Sequence, residues 1–161
     1  MGSLYEVSVA VHVAAAVVGF GATFTYPVIQ LVAERRDRRA LPFAMAAILA
    51  VSRFVAVPAT TLVGATGLYQ LVDGPYGLDD AWLAIGIVLY AAVMSTGVLY
   101  LAPAYRRAER AAVRMVEAAP AGTSVELSPE YRAAVRGPAR VGPAVAASVL
   151  AILVLMEVKP G

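Results

Sequence analysis

The sequence predicts an all-α integral membrane protein, a four-helix bundle whose four transmembrane spans form a single domain. Three observations predict it. Of 161 residues, 60% are apolar and only 15% are charged, where a soluble domain has about 45–50% and about 25%; the mean hydropathy is +0.74. The apolar residues gather into four long runs, against the roughly 20 residues that a helix needs to cross a bilayer. Twelve of the thirteen basic residues are arginines, and they are distributed by side. Arg35, Arg36, Arg38 and Arg39 follow the first run, Arg106, Arg107, Arg110 and Arg114 follow the third, and Arg132, Arg136 and Arg140 precede the fourth. The connection between runs two and three carries Asp73, Asp79 and Asp80 and no Lys or Arg. Basic residues collect on the cytoplasmic side of a membrane. The expected topology therefore has the N-terminus and C-terminus out and the arginines in, in a multi-pass protein of a bacterial inner membrane.

The spans follow in order. Span one is read at Leu4–Ala33; Val7 to Ala33 holds 27 residues without Asp, Glu, Lys or Arg. No basic segment precedes it, so it is read as a retained span rather than a cleaved signal. Pro27 predicts a kink near its cytoplasmic end. Span two is read at Leu41–Val72. At about 1.5 Å per residue it would be roughly 48 Å long, more than a hydrocarbon core of about 30 Å. Phe54–Val72 is therefore placed in the bilayer and Leu41–Ser52 beyond it, with Pro58 as a bend. Asp73–Asp80 is a Gly/Pro turn, and Asp80 is the expected N-cap of span three, Ala81–Tyr105. Trp82 and Tyr76 are assigned to the outer aromatic belt and Tyr105 to the inner one.

Span three is expected to continue to Ala118. Tyr105, Ala108, Ala112, Met115 and Ala119 form an apolar stripe there, and Leu41–Ser52 needs an apolar partner. Helices two and three are thus expected to extend into the cytosol as an antiparallel pair. Ala119–Leu127 has loop composition. Ser128 and Pro129 restart a helix as N-cap and first residue. Gly137-Pro138 and Gly142-Pro143 are expected to bend or interrupt it before span four, Val141–Val158. No internal repeat and no soluble domain boundary is visible.

Composition excludes several chemistries. The chain has no Cys and one His, which rules out disulfides, thiolate chemistry and the usual protein-only zinc site. No catalytic residue and no metal site is assigned, and the reading leans away from an enzyme. The net charge of +2 and pI near 9.1 come from arginines clustered on one side. They point to anionic lipid headgroups as partners rather than nucleic acid.

Three residues are candidates for ligand binding. His12 lies about eight residues into span one, on a stripe with Tyr5, Ser8, Gly19, Thr23, Tyr26 and Gln30. Polar atoms avoid lipid, so this stripe should face the bundle interior. There His12 is either a neutral histidine bonded to a hydroxyl or carbonyl, or an axial haem ligand or proton-handling group. Tyr90 of span three is expected at a similar depth, with Met94 and Met156 as neighbours that could complete a His–Met haem site. Arg53 interrupts span two. It either snorkels at the inner interface, beside Glu109, Glu117 or a lipid phosphate, or anchors an anionic ligand such as a haem propionate. The other eleven arginines are read as ordinary inner-side anchors. Thr60, Gly64 and Gly67 on span two, and Gly86 and Gly97 on span three, read as close-packing positions, with a polar path lined by Thr23, Thr60, Thr61 and Tyr90 as the competing reading.

The chain resembles the family of predicted bacterial integral membrane proteins catalogued as domain of unknown function 2269. The likeness is carried by His12-Val13-Ala14-Ala15 with Gly19, by the order Arg53, Pro58, Gly64, Gly67, and by Trp82-Leu83 opening span three. That family looks related to the copper-resistance D domain and to the small bacterial membrane protoporphyrinogen oxidase. In the oxidase the first-span His is associated with haem, which the resemblance carries onto His12. A Lys that follows the Trp there falls near Ile85 or Gly86 and is absent, which argues against that oxidase activity. The outer face lacks a His/Met cluster for copper. The functional expectation is a membrane protein that binds haem b, or a similar cofactor, through His12, with Arg53 and Tyr90 in the site. An oligomeric small-solute or ion transporter and a non-catalytic accessory subunit are the alternatives, and a homo-oligomer or larger membrane complex is the expected assembly.

Overall fold

A computed structural model describes residues 2–160 of the chain. The fold is an all-α, four-helix membrane-spanning bundle. Its four rods run Leu4–Arg36, Arg38–Asp73, Ala81–Ala118 and Pro129–Val158, and each is long and apolar enough to cross a bilayer. Outward faces are lined with residues such as Val17 (66% exposed), Val88 (67%) and Val154 (60%). Apolar surface this continuous belongs against lipid rather than water.

Three of the rods are interrupted, each just before a proline. The first consists of α1 (Gly2–Thr23) and α2 (Tyr26–Arg36). Pro27 has no N–H, and its ring would collide with the Thr23 carbonyl. The chain turns at Phe24–Thr25, where the Thr23 and Thr25 hydroxyls donate to the carbonyls of Phe20 and Ala22, both at 2.7 Å. The second rod consists of α3 (Leu41–Val51) and α4 (Val57–Asp73), joined by a π turn at Ser52–Ala56. The third consists of α5 (Ala81–Thr96) and α6 (Ala102–Ala118), joined by a π turn at Gly97–Leu101. In both cases a backbone N–H reaches five residues back, Val57 to Ser52 and Ala102 to Gly97. The wide turn makes room for the ring of Pro58 or Pro103, which cannot bond to the carbonyl four residues back. The bend expected at Pro58 is thus a π turn, and Pro103 repeats the device at the same spacing.

The fourth rod corrects one expectation. Helix α7 runs unbroken from Pro129 to Val158 through Pro138 and Pro143. Each of these prolines follows a glycine, which has no Cβ to strike the proline ring. The N-terminus of α7 matches its signal: Ser128 is the N-cap, and its hydroxyl accepts the Tyr131 N–H at 3.2 Å. Asp80 occupies the N-cap of α5 without capping it through its side chain. Its carboxylate accepts the Gly77 N–H instead, at 2.9 Å, and closes the preceding turn.

Helix α1 packs along α4, α5 along α7, and α3 along α6. Two cores result. One lies between the spans and contains Ala15, Ala16, Phe20, Val63, Val93, Val149 and Ile152. The other lies at the arginine-rich end, where Leu41, Ala44, Met45 and Ile48 of α3 meet Ala108, Ala111, Ala112 and Met115 of α6. This is the pairing that the stripe predicted. Tyr26, Ala33, Val125 and Tyr131 complete it. Trp82 is buried and stacks edge-to-face on Tyr76, with centroids 5.2 Å apart. Tyr105 stacks edge-to-face on Tyr26 at 6.2 Å.

Ile48 is fully buried in the arginine-end core. Ile48→Ala should cost about 2–5 kcal/mol, read as a lower thermal midpoint in detergent. Leu150→Ala, on an exposed face of α7, should leave the midpoint close to that of the parent protein.

Candidate functional site

The part of the polar stripe from Tyr5 to Gly19 faces α4, and the two helices meet in a fixed antiparallel register. Tyr5 lies against Gly74, Ser8 opposite Gln70, His12 opposite Thr66 and Gly67, and Gly19 opposite Thr60. The residue numbers of every pair sum to 78 or 79. Gln70 donates its amide to the Ser8 hydroxyl at 3.1 Å and to the Ser8 carbonyl at 3.2 Å. At Gly19 a Cβ would fall 2.9 Å from the Thr60 methyl and 3.0 Å from its backbone nitrogen. Only a glycine permits that approach.

His12 is half-buried in this interface. Its Nδ1 lies 2.9 Å from the Thr66 hydroxyl oxygen. A hydroxyl has one proton to give, and Thr66 directs it to the Leu62 carbonyl at 2.7 Å. With the hydroxyl proton on that carbonyl, Nδ1–H donates to Thr66. The contact orients the ring, and in the neutral form this tautomer leaves the lone pair on Nε2. The ring also lies over Gly67, where a Cβ would fall 3.2 Å from Cε1.

Tyr90 approaches the same helix one turn away. Its hydroxyl donates to the Thr60 carbonyl at 2.8 Å. At Gly64 a Cβ would fall 2.6 Å from that hydroxyl. The structure thus brings His12 and Tyr90 to successive glycines on one face of α4. Arg53 is not brought to them. It lies on the Ser52–Ala56 π turn, exposed, with its guanidinium carbon 5.5 Å from the Phe54 ring centroid. Thirteen residues separate it from Thr66, about 20 Å along the helix.

Other glycines serve the same purpose. The Met156 methyl lies over Gly86, 2.6 Å from where a Cβ would stand, and Tyr100 fills the space beside Gly137. Among the described residues, no group of three His, Asp or Glu side chains could hold a metal ion.

Several participants carried no recognised sequence signal. Thr66 is an ordinary hydroxyl in an apolar run, and only the register places it opposite His12. At the arginine-rich end, the Glu34 carboxylate accepts the Tyr131 hydroxyl and the Gln30 amide, both at 2.8 Å. The Tyr26 hydroxyl is buried and has no hydrogen-bond partner among the described residues. Two arginines do more than anchor the chain. Arg38 donates to the Val125 carbonyl at 3.1 Å, and Arg39 to the carbonyls of Pro120 and Thr123 at 2.5 and 3.0 Å.

Residues 6–160 are matched by the model of a family of predicted integral membrane proteins, DUF2269. The chain belongs to this family. No curated protein and no solved structure matches it.

If His12 and Thr66 are coupled as drawn, a double-mutant cycle of His12→Leu and Thr66→Val should give about 0.6–1.7 kcal/mol of interaction, read from thermal or denaturant unfolding in detergent. Strictly additive variants would show that the bond contributes nothing.

Proposed function

We propose that the protein is a multi-pass component of a bacterial inner membrane that binds haem b, or a related planar cofactor, through Nε2 of His12. The observation that carries this reading is the Thr66 contact. By accepting the Nδ1–H hydrogen bond it would hold a neutral imidazole with its distal nitrogen available, the arrangement that second-shell hydrogen bonds provide for metal-ligating histidines. The donor set fits one axial ligand. The distant likeness to the membrane protoporphyrinogen oxidase, where the first-span His is associated with haem, points the same way. The missing Lys separates this chain from that enzyme's reaction, so the proposed role is binding rather than catalysis. Tyr90 would neighbour the cofactor from the next turn. Arg53 would reach only an acidic arm extending toward the arginine-rich end. The topology in this reading has both termini outside and the paired α3 and α6 in the cytosol, as the arginine distribution requires.

The competing reading is a non-catalytic accessory subunit, in which His12 and Thr66 only hold two helices together. It is favoured by the glycine contacts, which fill the bundle with the protein's own side chains. The same filling would confine a solute or ion path to an interface between copies.

Absorbance spectroscopy separates these readings. Haem-supplemented protein should show a Soret band that His12→Ala abolishes, and Arg53→Gln should leave it in place. Protein that purifies without the band, or a band that survives His12→Ala, would overturn the haem reading in favour of the accessory one.

A further inference from the structure

The weak points of the four rods lie at one level. Helices α1 and α4 pair so that residue numbers sum to 78 or 79. That register sets Phe24, at the first break, opposite Phe54 and Val55 of the first π turn. Tyr90 meets α4 at Gly64. The second π turn begins seven residues beyond Tyr90, and the first ends eight residues before Gly64. Both π turns thus stand about 10–12 Å from that contact, toward the arginine-rich end. Tyr100 of the second π turn lies against Gly137, which brings the Gly-Pro pairs of α7 to the same level. Helix α7 continues there, but Pro138 and Pro143 give no N–H to the carbonyls of Ala134 and Ala139.

Each half of the molecule is tied within itself. On the arginine side, α2 packs on α3, α3 on α6 and α6 on α7 around one core. Arg38 and Arg39 bond across to the facing connection, and Tyr131 to Glu34. On the other side, Gln70 joins Ser8 and Tyr90 joins Thr60 around the second core. Among the described residues the two cores have no member in common. Between them lie Ala56, Ala104 and Pro138, buried but with little side chain to interlock. Long helices bend at prolines and π turns, and a hinge is a few residues that absorb the change of backbone angle. One buried group is left over at this level. Tyr26, just past the first break, is 8% exposed, and its hydroxyl has no partner among the described residues. Ser52 faces it from the first π turn without completing a hydrogen bond. Buried hydroxyls are ordinarily bonded, and a second position of the joint would bond this one.

We propose that the arginine-rich half is a rigid cap that tilts on the spans, with the two π turns as hinges and the Gly-Pro stretch of α7 as a pliant strut. In the tilted position the Tyr26 hydroxyl meets Ser52. Arg36 lies twelve residues from Phe24, a lever of about 18 Å. A rotation of about 15°, the scale of a subunit rotation, carries it through about 5 Å. The device is independent of His12 and of the haem reading.

Double electron–electron resonance on the full chain in nanodiscs tests it. The chain has no Cys, so two introduced cysteines are the only sites that take a spin label. Arg36→Cys with Val88→Cys spans the joint, and both positions are exposed. Val17→Cys with Val72→Cys, also exposed, lies wholly within the α1–α4 pair. The pair across the joint should give two distances about 5 Å apart, or one distribution broadened by that amount, while the pair within the spans stays narrow. Pro58→Ala/Pro103→Ala restores the N–H groups and removes the rings that require the wide turns, and should narrow the distribution across the joint. Tyr26→Phe keeps the ring and removes the hydroxyl that only the tilted cap can bond. It should shift the population toward the untilted distance, and it carries the test alone if the proline variant fails to fold. A single distance across the joint, as narrow as that within the spans, would overturn the proposal. A spread that Tyr26→Phe leaves unchanged would overturn it too.

Discussion

The approach of α1 to α4 at Gly19 and Thr60 sets the geometry on which the rest of the bundle depends. In a bilayer, lipid tails are as apolar as the side chains they meet, so burying more leucine draws no two helices together. What remains is close packing and hydrogen bonding. A glycine on one helix lets the other come near enough for short polar side chains to span the gap. Once Gly19 meets Thr60, the register along the pair is determined, and Ser8, His12 and Tyr5 come opposite Gln70, Thr66 and Gly74. A slip of one residue would lose all of these contacts together.

Above that pair the rods change character at a common point. The Phe24–Thr25 turn, the Ser52–Ala56 π turn and the Gly97–Leu101 π turn each precede a proline. They divide the core between the spans from the core built by α3 and α6. The backbone groups released at the first break are recovered by Thr23 and Thr25 hydroxyls. At the other two the helix recovers them by widening. Each solution keeps polar backbone atoms from facing lipid, which a spanning segment cannot tolerate.

The features legible in the sequence were those written as composition or period. The four runs, the pairing of Leu41–Ser52 with the Tyr105–Ala119 stripe, the Ser128 cap and the inward face of the Tyr5–Gln30 stripe all appear where the pattern places them. The illegible features depend on which residues meet across space. Thr66 gains meaning only when α4 is aligned on α1. Tyr131 reads as a helix residue until Glu34 arrives from 97 positions away. Of the bend or interruption expected at the two Gly-Pro pairs of α7, the interruption does not occur. The glycine before each proline is the residue that lets the helix accommodate the ring. Of the three candidate site residues, two converge on the glycine face of α4. The third, Arg53, stands about 20 Å away toward the arginine-rich end, the end at which its place in the apolar run puts it.

Arg38 and Arg39 hold the loop between α6 and α7 entirely through its carbonyl oxygens. A main-chain oxygen is the same at every residue, so this grip is indifferent to which side chains the loop displays. The exposed residues of Pro120–Ser124 other than Gly122, whose φ is +78°, can therefore change while the loop stays fastened to the opposite connection, and Val125 is held by its burial in the core. The loop's outward side chains can diverge between relatives without loosening the two halves of the bundle.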